Sequence, residues 1–175
     1  MKKALVTLIG AFVSTSAFGH AALEDCLKAA KQKHEGDFVK VEYLSKTIKG
    51  VPTYEIELRE SKGGVEYEFL CDASNGKIYE TGREVTRASD ELFQKKAKVS
   101  EKDAIATAQS KHKGEVLDVE YEIGSNGNPS YEIDIRGEGQ KEHKIEIDAV
   151  TGKIMQDAVE EWQIGEEKSG RKGKR

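Results

Sequence analysis

The chain has 175 residues, of which 34 % are charged and 7 % aromatic, and its formal net charge at pH 7 is −4. This length fits one domain or two small ones. A mildly acidic balance is atypical of proteins that bind nucleic acid or anionic lipid, so we expect neither partner.

The N-terminal segment predicts a secretory signal peptide over residues 1–21. Lys2 and Lys3 precede an apolar run over residues 4–13 that is too short to span a bilayer, and small residues follow. Cleavage after Ala21 or after Gly19 fits the small-x-small rule, and an uncleaved N-terminal anchor is the alternative. We expect a periplasmic or secreted protein without stable membrane insertion after cleavage.

From residue 22 onward the sequence repeats itself. The segment 31-KQKHEGDFVKVEY-43 aligns with 109-QSKHKGEVLDVEY-121, 52-PTYEIELR-59 with 129-PSYEIDIR-136, and 66-EYEFLCDASNGKIYE-80 with 142-EHKIEIDAVTGKIMQ-156. The offset falls from 78 to 77 and then to 76 residues, each time across a Gly-containing loop. We predict unit one over residues 22–80, a charged linker over 81–98, unit two over 99–164, and a disordered basic tail over 165–175.

Each unit predicts a helix followed by strands. Apolar residues recur at helical spacing from Leu23 to Ala30 and from Ala104 to Ala108, and 100-SEKD-103 is a capping-box pattern. Gly36 and Gly114 follow the helices as candidate C-cap residues. Alternating apolar and polar residues then indicate antiparallel strands with one buried and one wet face. The predicted fold class is α+β: two tandem α-β-β-β units, each with a helix on one face of its sheet. A short fourth strand fits residues 77–80 and 153–156, and the units are expected to pack together through their sheets.

Two cysteines lie in unit one. Cys26 falls on the apolar stripe of the helix, and Cys71 falls on the apolar face of a strand. In an oxidising compartment this pair predicts a disulfide that fastens the helix to the sheet, and two buried free thiols are the alternative. The aligned residues of unit two are Ala104 and Ile147, both ordinary core residues.

The polar face of the strands is the candidate interaction surface. Its expected centre combines carboxylates with arginines from both copies of the repeated strand: Glu55, Glu57, Arg59, Glu132, Asp134 and Arg136. One interpretation is a solvated face that keeps the protein soluble. The other is a docking face for a basic or mixed-charge protein, where charge would set the association rate and selectivity more than affinity.

Two "DAxxGK" segments predict tight turns. Asp72 and Asp148 are expected to accept hydrogen bonds from the turn backbone, with Gly76 and Gly152 at positive φ. A calcium loop would need more oxygen ligands at alternate positions than these segments offer.

The histidines give little indication of a catalytic or metal-binding site in the sequence. His34 and His112 occupy equivalent positions at helix ends, where the helix dipole favours them. His143 aligns with Tyr67 and is interpreted as a packing substitution. A metal site would need further ligands near these histidines, and the sequence reveals none. No nucleophile-elbow motif is present either. We therefore predict no metal-binding residue and no catalytic residue.

The helix ending KHxG, the VEY strand, YEIxxR and DAxxGKI together resemble the PepSY family, the domain of peptidase propeptides and of a spore-germination protein. The resemblance covers nearly all of residues 22–164, twice. It implies an extracytoplasmic α+β module that binds and restrains peptidases, without catalytic residues or a cofactor. No peptidase follows the repeats, so inhibition or regulation would act in trans. The alternative function is an envelope sensor that responds to a small ligand or a metal, and a hydrolase is the third and least favoured hypothesis.

Overall fold

The computed structural model of the chain describes residues 16–166. The helices are α1 (Ser16–Lys33), α2 (Glu91–Gln94) and α3 (Glu101–Lys111). The strands are β1 (Gly36–Ser45), β2 (Thr53–Glu60), β3 (Glu66–Asp72), β4 (Lys77–Val85), β5 (Glu115–Gly124), β6 (Pro129–Arg136), β7 (Glu142–Asp148) and β8 (Ile154–Gly165). A 3₁₀ turn, Glu138–Gln140, joins β6 and β7. Most of the predicted signal peptide and basic tail lies outside the described residues.

The eight strands form a closed antiparallel barrel in chain order. Within each unit, consecutive strands pair as hairpins. Two further pairings, β4 with β5 and β8 with β1, join the units, so both share one sheet. The units can pair because β4 and β8, the fourth strand of each unit, are longer than the short segments predicted from the sequence. Residues 81–85, predicted as the start of the linker, form the second half of β4.

The apolar face of the sheet lies on the outside of the barrel, beneath the helices. In unit one, α1 contributes Cys26 and Ala30 to a cluster with Ile56, Leu58 and Phe69 of the strands. In unit two, Ala104 and Ala108 of α3 pack in the same way on a cluster that includes Ile133, Ile145 and Ile147. Cys26 and Cys71 form the predicted disulfide, which is confirmed. None of the helices among residues 16–166 has the length and apolarity needed to cross a bilayer.

The polar face of the sheet lines the inside of the barrel, and the prediction of a wet face is therefore wrong. Lys40, Glu42, Glu55, Glu132 and Lys144 are all buried. The physical reason is closure: once β8 pairs with β1, the face opposite the helices encloses its side chains instead of exposing them.

The glycines after the two helices do not have the backbone conformation expected of C-cap residues. Gly36 and Gly114 are not among the residues with positive φ. Each instead lies against the end of the neighbouring strand, where an added Cβ would be 2.2 Å from the Arg59 carbonyl oxygen or 2.1 Å from that of Arg136. Close approach of two backbones explains both glycines. The capping prediction for α3 is confirmed, since the Asp103 amide donates to Ser100 Oγ at 3.2 Å.

Candidate functional site

The residues predicted to form a docking face are divided between the interior and the rim of the barrel. Glu55 is 1 % exposed, and Glu57 and Glu132 are also buried. Asp134 is half-buried. A partner therefore cannot reach the three glutamates while the barrel is closed.

The two arginines of that predicted face lie at the rim of the barrel, where solvent reaches them. Arg59 and Arg136 lie near the ends of β2 and β6, and both are partly exposed. Arg59 donates to Glu66 and Glu166, and Arg136 donates to Glu142. Each arginine is thus held by carboxylates of its own rim.

Two buried lysines organise the interior of the barrel. Lys144 is 1 % exposed, and its Nζ lies 2.5–2.7 Å from carboxylate oxygens of Glu42, Glu55 and Glu132. Lys40 Nζ lies 3.0 Å from Glu42 Oε1 and 2.6 Å from a carboxylate oxygen of Glu57. Glu42 therefore links both lysines, one from each unit.

Burial and charge shift the pKa values of the interior carboxyls in opposite directions. Burial opposes ionisation of Glu42, yet Lys144 and Lys40 hold its pKa down to about 2. Burial raises the pKa of Glu146 from 4.5 to about 7, with the Glu80 carboxylate adding to the effect. Burial, reinforced by neighbouring carboxylates, also raises the pKa values of Glu55, Glu68 and Glu122. The interior thus combines Glu42, which both lysines keep ionised, with carboxyls that hold their protons to higher pH than usual, including Glu55 beside Lys144.

Among residues 16–166, the void found beside the interior carboxylates is small. A void lined by Glu57, Glu68, Glu120 and Glu122 has a volume of about 10 Å³, which is close to the minimum for one water molecule. Glu55, Glu68 and Glu132 bring carboxylate oxygens within 4.8 Å of one another. Two of these three carboxylates bond to Lys144.

A second group lies on the outside of unit two, and we call it the histidine cluster: His112, His143 and Asp157. His112 is the C-cap of α3, His143 belongs to β7 and Asp157 to β8. The two imidazole rings stack with centroids 3.8 Å apart, and His112 Nε2 lies 2.8 Å from Asp157 Oδ1. Burial, with His112 as the next cause, lowers the pKa of His143 and favours its neutral form.

Unit one has a related arrangement with different chemistry. His34 follows α1 and stacks on Tyr67 with centroids 3.6 Å apart, as His112 stacks on His143. Thr81 occupies the position of Asp157, since Thr81 pairs with Phe69 across the strands and Asp157 pairs with Ile145. Unit one therefore has one imidazole where unit two has two imidazoles and a carboxylate.

The histidine cluster was not predicted from the sequence, although the repeat carried a signal for it. Two positions that meet at the end of one helix change together between the units, from Tyr67 and Thr81 to His143 and Asp157. The second change lies one residue beyond the aligned segment that ends at residue 156. Only the pairing of β7 with β8 shows that Asp157 and His143 share the outer face.

Aromatic side chains form a cluster in each unit, and the two clusters differ. In unit two, Tyr121 and Tyr131 pack against Phe93 of α2, which is fully buried. In unit one, Tyr43 and Tyr54 instead pack against Trp162 near the end of β8. Trp162 is 37 % exposed, and Ile164 two residues later is 67 % exposed, so this edge presents apolar surface to solvent.

The DAxxGK segments form hydrogen-bonded turns. Asp72 Oδ1 accepts from the Ser74 amide, and Asp148 Oδ1 accepts from the amides of Val150 and Thr151. Gly76 and Gly152 have φ values of 70° and 74°. The aspartates thus have backbone partners within their own turns.

The sequence and the fold were compared with known proteins to find the family of the chain. No curated protein matches the chain. A solved structure, described as that of a candidate lipoprotein from Clostridium difficile 630, is 18 % identical and covers 78 % of this chain and 91 % of its own. Its TM-score of 0.31 is too low to support an argument. The family model described as "Peptidase propeptide and YPEB domain" matches residues 22–81 and again residues 98–157. These matches span more than half of the sequence and coincide with the two repeats, so the chain belongs to the PepSY family, with two tandem copies of the domain.

Proposed function

We propose that this chain is an extracytoplasmic, non-catalytic protein-binding module that binds a peptidase in trans and regulates it. The observation that carries the proposal is the match of both units to a family described by its peptidase propeptides. The predicted signal peptide supports the location. A propeptide acts by binding its peptidase, and the two domains of this chain can act on a peptidase by the same means.

The surface available for such binding is the outside of the barrel, because the interior is closed and packed. On that outside, the edge formed by Trp162 and Ile164 is the candidate contact, and we call it the aromatic edge. Exposed aromatic side chains backed by further rings are typical anchors of protein interfaces. Tyr43 and Tyr54 provide this backing beneath Trp162. We therefore expect the peptidase to bury the aromatic edge.

The test adds the purified chain to individual peptidases isolated from the extracytoplasmic fraction of the source cells. Cleavage of a quenched casein substrate reports activity, and size-exclusion chromatography reports complex formation. The expected result is one peptidase whose activity changes in proportion to the added chain, with saturation at a fixed stoichiometry.

A double variant with Trp162→Ser and Ile164→Ser should weaken that effect at least about tenfold, the range expected for loss of an interface anchor. Ile48→Ser is the matched control, since Ile48 is also exposed but lies in the loop between β1 and β2. Unchanged activity of every peptidase, with no complex on the column, would refute the proposed function. Equal inhibition by both variants would refute the aromatic edge alone.

A further inference from the structure

The histidine cluster has the composition of a transition-metal site. One ligand atom from each of His112, His143 and Asp157 lies within 4.8 Å of the others. Two imidazoles and a carboxylate form a ligand set used for zinc and for other divalent transition ions. Three side chains leave at least one coordination position for water or for a group from another molecule.

The cluster is accessible to an ion. The His112 side chain is 23 % exposed and the Asp157 side chain 18 % exposed. A surface cavity of about 360 Å³ opens beside both imidazoles, with Lys111, Gly137 and Glu138 in its wall. An ion can therefore enter from solvent without opening the barrel, and the cavity has space for water ligands.

An unsatisfied nitrogen points to a missing ligand. His143 Nδ1 is buried and has no hydrogen-bond partner within residues 16–166. A buried ring nitrogen without a partner is costly, and coordination is one way to satisfy an imidazole. His112 already faces Asp157, so the His143 ring is the member of the cluster whose bonding is incomplete.

The fold brings the three ligands together and places a glycine beside the His143 ring. The three ligands come from the C-cap of α3 and from the paired strands β7 and β8, so regular structure positions the backbone at each ligand. Gly137 lies against the ring, where a Cβ would be 3.2 Å from His143 Cδ2 and 3.4 Å from Nε2. The stacked rings differ by 19° in plane, so a shared ion requires them to tilt further apart.

From this geometry we infer that His112, His143 and Asp157 bind a divalent transition-metal ion of the zinc type, and that this site exists in unit two alone. The inference goes beyond the proposed function and depends on different residues. We restrict the site to unit two because unit one has Tyr67 and Thr81 at the positions that correspond to His143 and Asp157.

The loss-of-site test is zinc binding to the chelator-stripped chain, measured by calorimetry and equilibrium dialysis. The expected stoichiometry is one Zn²⁺ per chain. His143→Tyr and Asp157→Thr each introduce the residue of unit one, and each should weaken binding by about 100-fold or more, beyond the usual effect of losing an outer-shell partner. Tyr67 already stacks on a histidine in this fold, so His143→Tyr should remain folded, and circular dichroism checks that it does.

The spectrum of bound Co²⁺ provides an independent readout. Four-coordinate Co²⁺ absorbs visible light far more intensely than six-coordinate Co²⁺, so a site with three protein ligands and one water is distinguished from Co²⁺ in solution. We expect this absorption in the wild-type chain and its loss in both variants. Binding retained in His143→Tyr and Asp157→Thr, or no binding by the wild-type chain, would overturn the inference.

A gain-of-site test uses unit one. The double variant with Tyr67→His and Thr81→Asp places the missing ligands beside His34. It should bind a second Zn²⁺, because the strand pairing and the helix end are the same in both units. Failure to gain this site, in a variant that folds and retains the first one, would contradict the assignment of these three positions as the ligands.

Discussion

The two units share a scaffold and differ in how each is completed. In unit one, a disulfide between Cys26 and Cys71 fixes the helix to the sheet, where unit two has Ala104 and Ile147 in its core. The cover over the paired tyrosines also differs, since Phe93 is buried over one pair and Trp162 is partly exposed over the other. Thus the repeated strands set the core, and the residues added around it distinguish the units.

The two units also differ in the charged side chains that they place inside the barrel. Lys40 of β1 aligns with Asp118, and Lys144 of β7 aligns with Glu68, so the units place their buried lysine on different strands. Both lysines nevertheless contact Glu42. The two units are complementary inside the barrel, where an exact repeat would place the lysines at equivalent positions.

The largest effect should come from Lys144→Met. This change leaves Glu42, Glu55 and Glu132 without the cation that they share. Removing one member of a buried ion cluster costs about 3–5 kcal/mol, and we expect about 5 kcal/mol here because three carboxylates lose a partner. Urea unfolding followed by circular dichroism measures the loss of free energy of unfolding.

Lys40→Met should destabilise less than Lys144→Met, because Lys40 contacts two carboxylates. Lys153→Met, at an exposed position, is the control for removal of a positive charge. If Lys144→Met resembled Lys153→Met, the interior cluster would not be a stabilising feature of the barrel.

The next largest effect concerns the disulfide. The double variant with Cys26→Ala and Cys71→Ile gives unit one the residues of unit two. A cross-link between residues separated by 45 positions stabilises by about 4 kcal/mol in the chain-entropy model. We expect a loss of that size in urea unfolding, and a larger loss with alanine at both positions, since the isoleucine side chain fills part of the core and alanine does not. Equal stability of the double variant and the oxidised wild type would show that α1 is held by packing alone.

A smaller effect of pH is expected from Glu146, which aligns with Leu70 of unit one. Its folded-state pKa of about 7 lies above its ordinary value of 4.5, so the folded chain binds the proton more tightly than the unfolded chain does. Its contribution is fully present below pH 4.5 and is lost as pH rises through 7, which amounts to about 3 kcal/mol. Glu42 acts in the opposite window, because its pKa of about 2 gives stability that is lost as pH falls from 4.5 to 2.

Glu146→Gln should therefore flatten the decline in unfolding free energy between pH 4.5 and pH 8 by about 3 kcal/mol. Measurements at pH 4.5, 6, 7 and 8 define the slope for the variant and the wild type. Glu138→Gln, at an exposed position in the turn before β7, is the control and should leave the slope unchanged. An unaltered slope in Glu146→Gln would assign the pH dependence to other buried carboxyls.

The helices, strands and disulfide were predictable because local periodicity determines them. Cys26 falls on a helical stripe and Cys71 on a strand face that packs beneath it, and no long-range information is needed to see this. Closure of the barrel was not predictable on the same basis. Alternation in Glu55, Ile56 and Glu57 defines two faces, but a wet face and an enclosed polar interior have the same pattern. The deciding pairings, β4 with β5 and β8 with β1, join segments that are distant in the chain or belong to different units.

The smallest effect should be that of Trp162→Ala, compared with Phe93→Ala. Both rings cover a pair of tyrosines, but Phe93 is fully buried and Trp162 is 37 % exposed. Truncating a buried phenylalanine costs about 3 kcal/mol or more, whereas the exposed tryptophan should cost about 1 kcal/mol. Thermal unfolding of the two variants checks the ranking. A loss for Trp162→Ala as large as that for Phe93→Ala would mean that β8 closes the barrel mainly through this ring. A small loss would leave Trp162 free to serve as a contact for a partner.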